Sequence, residues 1–336
     1  MPTYLLTLAT GQQARLTAKH LLAAGATVHA VVRDPTSQAA RNLASAGVKL
    51  FKGNLDEPDV FRKAAEGCTG VFLNLVPASP PTPSATSTSD PANTNPSASI
   101  VDSERQRAAS ILAACHDAGV KYVVASTAIY TGDRHLWDTP EAEAIGYHYS
   151  RSKAGIEDAV RSSGLSGGWT ILRPGWIMSN YLVPVSPFVY PELPVEGLLK
   201  HSYESGAGFE HVDEEDVGKY AAAALLEPER FVGREITLAS GWLSVEDVAA
   251  EMSRVSGREV KVSKRTAEEQ KEAVRKGNLA LEFELWASLV GDKVHEARWK
   301  AKGSKPPEEE FGIPLTGFEE YLQREKEVLL RSLPTV

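Results

Sequence analysis

The sequence predicts an α/β protein, a doubly wound and mostly parallel sheet followed by a smaller α-rich C-terminal lobe. Two observations lead there. Through the first third of the 336 residues, short apolar runs alternate with stretches of helical periodicity, the pattern of repeated βα units. Beyond Arg173-Pro174 the pattern turns irregular and then mostly helical, which marks a second and smaller folding unit.

Tyr4 to Ala9 reads as a buried strand that Thr10-Gly11 interrupts. The helix after it places Ala14, Ala18, Leu21 and Leu22 on one face at i, i+4, i+7 and i+8. Gly25 ends it, Thr27 to Val32 is the second strand, and Asp34-Pro35 supplies an N-cap and N1 proline for the next helix. Val48 to Lys52, Gly70 to Leu75, Lys121 to Ser126 and Trp169 to Leu172 complete six strands. Helices over Asp56 to Glu66, Ile100 to Ala118 and Tyr149 to Ser163 join the later ones. One connection is too long for this scheme. Residues 77–99 hold six Pro, six Ser and four Thr without periodicity, and read either as a lid over a ligand or as a solvated excursion.

After the sixth strand, Pro184, Pro187, Pro191 and Pro194 break up an aromatic-rich stretch. Asp213 to Leu226 reads as a helix with an acidic first turn, and Glu235 to Ala239 as a short strand. Helices then follow near Ser244 to Ser256, Thr266 to Lys276, Leu279 to Leu289 and Phe318 to Leu330. The domain expectation is therefore a dinucleotide-binding unit over 1–176, with 212–240 contributing to it, and a substrate lobe from 177–211 and 241–336.

Composition narrows the function classes. With 42% hydrophobic and 24% charged residues the chain is neither disordered nor a coiled coil. A net charge of −8 repels polyanions, so a nucleic-acid partner is not expected. Cys68 and Cys115 are too few for a disulfide framework or a cysteine-based zinc site, and no acidic set accompanies His201 or His211, so no metal is expected. The N-terminus lacks signal-peptide features and no run is long enough to span a bilayer, which gives a cytoplasmic, membrane-free expectation.

The turn after the first strand carries the first chemical signal. A dinucleotide pyrophosphate must approach backbone N–H groups at a helix N-terminus, which glycine permits because it has no Cβ. Thr10, Gly11, Gln12 and Gln13 sit there; in a G-x-x-G-x-x-G spacing Leu8 and Ala14 occupy the outer positions. Arg33 closes the second strand, where an acidic residue would hold a ribose 2′-OH and an arginine can clamp a 2′-phosphate. Read as that clamp rather than as a solvated arginine beside Asp34, Arg33 selects NADP(H).

The strongest local signal is Tyr149-Ser150-Arg151-Ser152-Lys153, because i, i+4 spacing on a helix puts the phenol and the ammonium on one face. A phenol is a poor acid–base catalyst near neutrality, and a neighbouring ammonium favours its phenolate. Ser126 and Thr127 close the fifth strand, where a hydroxyl can orient a substrate carbonyl, and Arg173-Pro174-Gly175 closes the sixth beside the expected nicotinamide position. Trp137, Trp176, Tyr181, Phe188 and Tyr190 form either an aromatic wall for a bulky ring substrate or ordinary core. His148 reads as a surface or helix-start histidine.

Ala9 to Ala14, Val31 to Pro35, Gly53-Asn54-Leu55, Leu172 to Asn180 and Val212 to Gly218, in this order and spacing, resemble the NmrA-like branch of the atypical short-chain dehydrogenase/reductase superfamily. The resemblance runs from Tyr4 to about Arg258. It implies a Rossmann fold and a bound nicotinamide dinucleotide, and it covers both reductases and redox sensors that bind transcription factors and lack the catalytic tyrosine. It also implies cofactor contacts from Asn54, Leu55, Lys153 and Pro174 besides the turn and Arg33, and substrate contacts from Thr127, Tyr130, Trp137, Trp176, Asn180 and Tyr181. Tyr149 and Lys153 match the active-site pair of catalytic members, with Ser126 or Thr127 at the position of their hydroxyl residue and Ser126 taken as the catalytic one. The expectation is thus an NADP(H)-dependent reductase acting on a carbonyl or imine of a bulky small molecule, as in secondary metabolism. The alternatives are a dinucleotide sensor, the one reading that needs a protein partner, and a cofactor-retaining cyclase or isomerase.

Overall fold

Strands β1 (Thr3–Leu6), β2 (Thr27–Val32), β3 (Lys49–Lys52), β4 (Gly70–Asn74), β5 (Tyr122–Ser126) and β6 (Trp169–Pro174) fall where the apolar runs put them, within one or two residues except that β1 ends three residues before Ala9. The computed structural model describes residues 1–75, 96–145, 147–203, 207–275, 280–291 and 306–335. Four further elements are helices α1 (Gln12–Ala23), α2 (Gln38–Ser45), α3 (Pro58–Ala65) and α4 (Pro96–Asp117). The expected loop over 77–99 lies outside the described residues except for Pro96 to Ser99, which open α4.

These strands pair in the order β3-β2-β1-β4-β5-β6, and every registered pairing among β1 to β6 is parallel. The central strands are apolar up to their C-terminal residues because both faces of such a sheet are covered. Val71, Phe72 and Leu73 of β4 and Val123 and Val124 of β5 are fully buried. From β1 the chain steps outward through α1 and α2 to β3, then α3 returns it to the other side of β1. The strand order therefore reverses between β1 and β4, and ligands of such sheets bind outside the strand ends at that point. Thr7 fastens it: its Oγ donates to the Asn74 carbonyl at 2.7 Å and accepts from the Asn74 N–H at 2.8 Å.

Two local expectations are corrected. The sheet has seven strands rather than six: β10 (Glu235–Leu238) joins it at the β6 edge, with Gly233 N–H donating to Trp169 O at 2.7 Å and Ile171 N–H to Arg234 O at 2.9 Å. The sequence shows a strand over Glu235 to Ala239 and assigns 212–240 to this unit, but four residues with two apolar side chains are too few to reveal which strand they pair with. Asp34 does not cap α2. Ser37 does, its Oγ accepting from Ala40 N–H at 3.3 Å, while Asp34 folds back on Thr36 through bonds of 2.8 and 2.6 Å to its N–H and hydroxyl.

The chain divides into two compact units, Met1–Thr131 with His148–Arg173 and Val217–Ile236, and Gly132–Tyr147 with Pro174–Asp216 and Thr237–Val336. The first holds the βα repeat. Its core runs from Leu5 and Phe61 through Ile111, Cys115 and Val123 to Ile156 and Ile171. Cys68 and Cys115 are buried within it, and burial pushes both thiols up to about 12.

The second unit takes residues 132–147, which the sequence reading left with the first. It contains a three-stranded sheet of β7 (Trp176–Ile177), β9 (Gly208–Val212) and β11 (Gly241–Ser244), and a parallel pair, β8 (Leu198–His201) with β12 (Lys261–Lys264). The helix Val245–Ser256 starts with a capping box between Ser244 and Asp247. The helix expected over Phe318 to Leu330 is two helices, Phe318–Arg324 and Lys326–Arg331, broken at Glu325. Arg324 donates to both oxygens of the buried Asp213 at 2.5 and 3.1 Å. Among the described residues no helix is long and apolar enough to cross a membrane.

Candidate functional site

The turn between β1 and α1 sits at the point where the strand order reverses. Leu8 takes a left-handed backbone (φ +48°), an unusual conformation for a branched residue, and Gly11 N–H donates to its carbonyl at 2.8 Å. A Cβ on Gly11 would stand 3.1 Å from that oxygen, so glycine is what lets the turn close. Gly11 then starts α1 with no side-chain cap and no acidic residue in the first turn, which leaves a field that favours an anion. Thr10 is exposed at the tip of the turn.

Gln13 reaches across the strand ends. Its Oε1 accepts from Ser126 Oγ at 2.7 Å and from Asn74 Nδ2 at 3.3 Å, linking the ends of β4 and β5 to the first turn of α1. Ser126 is 2% exposed, and its hydroxyl proton is engaged. Thr127, expected at the substrate, turns its hydroxyl to Glu157 at 2.9 Å instead. There it belongs to an ionic network in which Arg173 grips Glu157 through bonds of 2.9 and 2.7 Å and reaches Glu235 at 2.6 Å. Tyr130 is buried, again with positive φ (+65°).

Arg33 is exposed at the end of β2 and has no ion-pair partner among the described residues, because the Asp34 carboxylate is occupied by Thr36. The same two bonds hold that carboxyl below its usual range. Asn54 caps the turn after β3, accepting from Asp56 N–H at 2.8 Å and donating to Glu57, and Leu55 packs on the core.

The helix Tyr149–Arg161 presents Tyr149 and Lys153 as their spacing requires, with Lys153 Nζ 5.3 Å from the centre of the Tyr149 ring. The two differ sharply in exposure: Tyr149 is 40% exposed and Lys153 4%. A buried ammonium must be paired. Lys153 donates to Glu104 Oε1 at 3.0 Å and to the Leu75 carbonyl at 2.9 Å, while Ser152 donates to the other Glu104 oxygen. Glu104 is completely buried on α4. Gly155 brings the two helices together, since a Cβ there would lie 3.1 Å from Arg105 Cβ.

The sequence reading missed Glu104 and Glu157. Their signal was there: Glu104 precedes the buried Ala108 by four residues and Ile111 by seven, and Glu157 precedes Val160 by three. A carboxylate in register with an apolar stripe needs a buried partner.

The second unit holds the other expected residues. Trp137 is buried, with the Arg134 guanidinium 6.0 Å from its ring centre, Pro174 is buried, and Asn180 is half-buried. Trp176 packs 5.4 Å from both Phe209 and Phe283. Tyr181 stacks on Tyr190 at 5.2 Å, and its hydroxyl lies 2.9 Å from His211 Nε2. His211 Nδ1 faces the Phe209 carbonyl at 3.0 Å, which can only accept, so Nδ1 carries the proton and Tyr181 donates to Nε2. Burial keeps that imidazole neutral, pushed down to about 3. No group of three or more His, Cys, Asp or Glu residues placed to hold a metal occurs among the described residues.

The oxidoreductase FrzB of a Cladobotryum species, which contains an NmrA-like family domain, is 27% identical over 267 residues, covering 74% of this chain and 72% of its own. An NAD(P)H azoreductase of Xenophilus azovorans is 26% identical over 245 residues, covering 73% and 71%. Two solved structures share the fold at lower identity. NmrA, a negative transcriptional regulator, superposes with a TM-score of 0.67 at 18% identity, covering 99% of this chain and 98% of its own. The Escherichia coli quinone oxidoreductase QOR2 in complex with NADPH gives 0.63 at 19%, covering 96% and 99%. The NmrA-like family model matches residues 3–322, nearly the whole length, and the chain belongs to the NmrA-like family.

Proposed function

We propose that the protein is an NADPH-dependent reductase of a carbonyl or imine in a bulky small molecule of secondary metabolism, with Tyr149 as the proton donor. The observation that carries this reading is the Tyr149, Lys153 and Glu104 constellation, which keeps an ammonium beneath a half-exposed phenol. The uncapped N-terminus of α1 and the cradle at Gly11 fit a dinucleotide pyrophosphate, and the unpaired Arg33 fits a 2′-phosphate. Relatives named as an oxidoreductase and an NAD(P)H azoreductase support the same class.

When bound, NADPH supplies a hydride. The chain's own residues do the rest. Tyr149 donates its hydroxyl proton to the acceptor atom as negative charge develops there, assistance worth roughly 10² to 10⁴ in rate. Lys153 stabilises the phenolate left behind, and its side of the helix would face the ribose of a bound dinucleotide. Ser126 orients the acceptor group by turning its hydroxyl proton from Gln13 Oε1 to the acceptor oxygen or nitrogen. The test is NADPH consumption, followed by absorbance, with a panel of ketones, imines and quinones. Turnover of at least one class is expected, whereas tight NADPH binding without turnover of any would favour a sensor.

A further inference from the structure

Buried polar atoms in folded proteins almost always find partners. In the second unit seven side-chain atoms do not among the described residues, and three of them, Trp176 Nε1, Tyr203 Oη and Glu284 Oε1, belong to residues in or beside one aromatic cluster. Tyr203 is 1% exposed and Glu284 is fully buried. The two oxygens of Glu284 are strongly unequal. Oε2 accepts from Arg265 at 2.6 Å and from Ser202 N–H at 2.8 Å, while Oε1 accepts from nothing. Leaving such an atom dry costs it the hydrogen bond it would make in water.

The surroundings say what would satisfy it. Phe209 joins the rings of Tyr203 at 5.1 Å, Trp176 at 5.4 Å and Phe283 at 5.6 Å, and Phe283 neighbours Glu284 on the helix Leu281–Val290. Aromatic faces and edges at these spacings favour a flat ring. Arg265, as buried as Glu284, already offsets the carboxylate charge, so a charged ligand would itself be left unpaired. We infer that the second unit contains an internal binding site for a neutral aromatic molecule bearing an O–H or N–H, with Glu284 Oε1 accepting that proton and Tyr203 Oη bonding a second polar atom. Burial holds the Glu284 carboxyl above its usual range despite Arg265, as an under-partnered oxygen requires. Calling this molecule the substrate rests on the reductase reading; its binding does not.

The test therefore reads binding by calorimetry on the full chain without NADPH. The probes are 2-naphthol, 2-methoxynaphthalene and 2-naphthoate. Wild type should bind 2-naphthol at least tenfold more tightly than either of the others. Glu284→Gln keeps the shape but turns an amide N–H₂ toward the ligand, because the Arg265 side demands an acceptor, and the preference over the methyl ether should vanish. A melting curve establishes that this variant folds. Tyr203→Phe keeps the ring and should weaken both neutral probes while preserving the preference. Equal affinity for naphthol and its ether, tighter binding of naphthoate, a preference unchanged in Glu284→Gln, or no saturable binding because water alone fills the site would each overturn the inference.

Discussion

At Leu8 a single residue reveals how the nucleotide turn is built. A left-handed conformation disfavours a side chain with a Cβ by about 1 to 2 kcal/mol, and the family spacing puts a glycine at this position in many dinucleotide turns. Leu8→Gly should relieve that strain but also loosens the unfolded chain, so a net stabilisation of about 1 kcal/mol or less is expected in denaturant titration. Arg33 makes the complementary prediction for cofactor choice. Arg33→Ala should weaken NADPH binding by tenfold or more in calorimetry and leave NADH binding nearly unchanged; equal affinities for the two cofactors in wild type would remove Arg33 from the site.

Glu214 supplies a pH prediction at the same scale. Burial, with Asp213 adding to it, pushes its carboxyl up to about 7, so the folded protein holds a proton that the unfolded chain releases near the ordinary value of about 4.5. Stability from this group is present below about 4.5 and lost as pH rises to about 7, amounting to at most about 3 kcal/mol. His211 acts with the opposite sign, since its depressed value makes stability rise with pH between about 3 and 6.5. The two partly cancel in wild type. The difference between Glu214→Gln and wild type isolates the first, and denaturant melts should show the variant gaining steadily on wild type from pH 4.5 to 7 and no further above it.

Among the elements, α4 and the helix Tyr149–Arg161 decide whether the site is rigid. Lys153 and Ser152 both grip Glu104, so one carboxylate fixes two successive residues of the helix that carries Tyr149. Glu104→Ala leaves a buried ammonium unpaired and should destabilise the protein by about 3 to 5 kcal/mol in chemical denaturation. Glu104→Gln keeps an acceptor for Lys153, so it should fold and should change the pH profile of turnover more than NADPH affinity. An unchanged melting midpoint in Glu104→Ala would show that Lys153 finds another partner.

The strands of the βα repeat were readable because a parallel sheet covered on both faces demands apolar runs, and the inner strands β1, β2, β4 and β5 supply them, whereas the edge strand β3 carries only Leu50 and Phe51 between lysines. Tyr149 and Lys153 were readable because four-residue spacing is a property of the helix itself. Glu104, Glu157 and Glu284 were harder, since their partners Lys153, Arg173 and Arg265 lie 16 to 49 residues away, 16 for Glu157 and Arg173 and 49 for Glu104 and Lys153. Only tertiary structure brings such pairs together. The N-cap of α2 was misplaced for the converse reason, because Asp34 and Ser37 both suit a cap and the local Thr36 bonds decide between them.

At the scale of the whole molecule, the second unit is closed by its own C-terminal residues. Arg324 pairs with Asp213 and Thr316 bonds Asp216, and both carboxylates are fully buried at the start of the helix Glu214–Leu226. Arg324→Met should therefore destabilise the protein by about 3 kcal/mol or more, seen as a lower denaturation midpoint. The central claim, that this NmrA-like chain reduces its substrate with Tyr149 as proton donor, concerns one hydroxyl. It is tested most directly by the NADPH oxidation rate of Tyr149→Phe relative to wild type on an acceptor that wild type turns over. The account predicts a loss of about 10²-fold or more in kcat, with NADPH affinity and melting temperature preserved, because only the general acid has been removed. Undiminished turnover in Tyr149→Phe would contradict it.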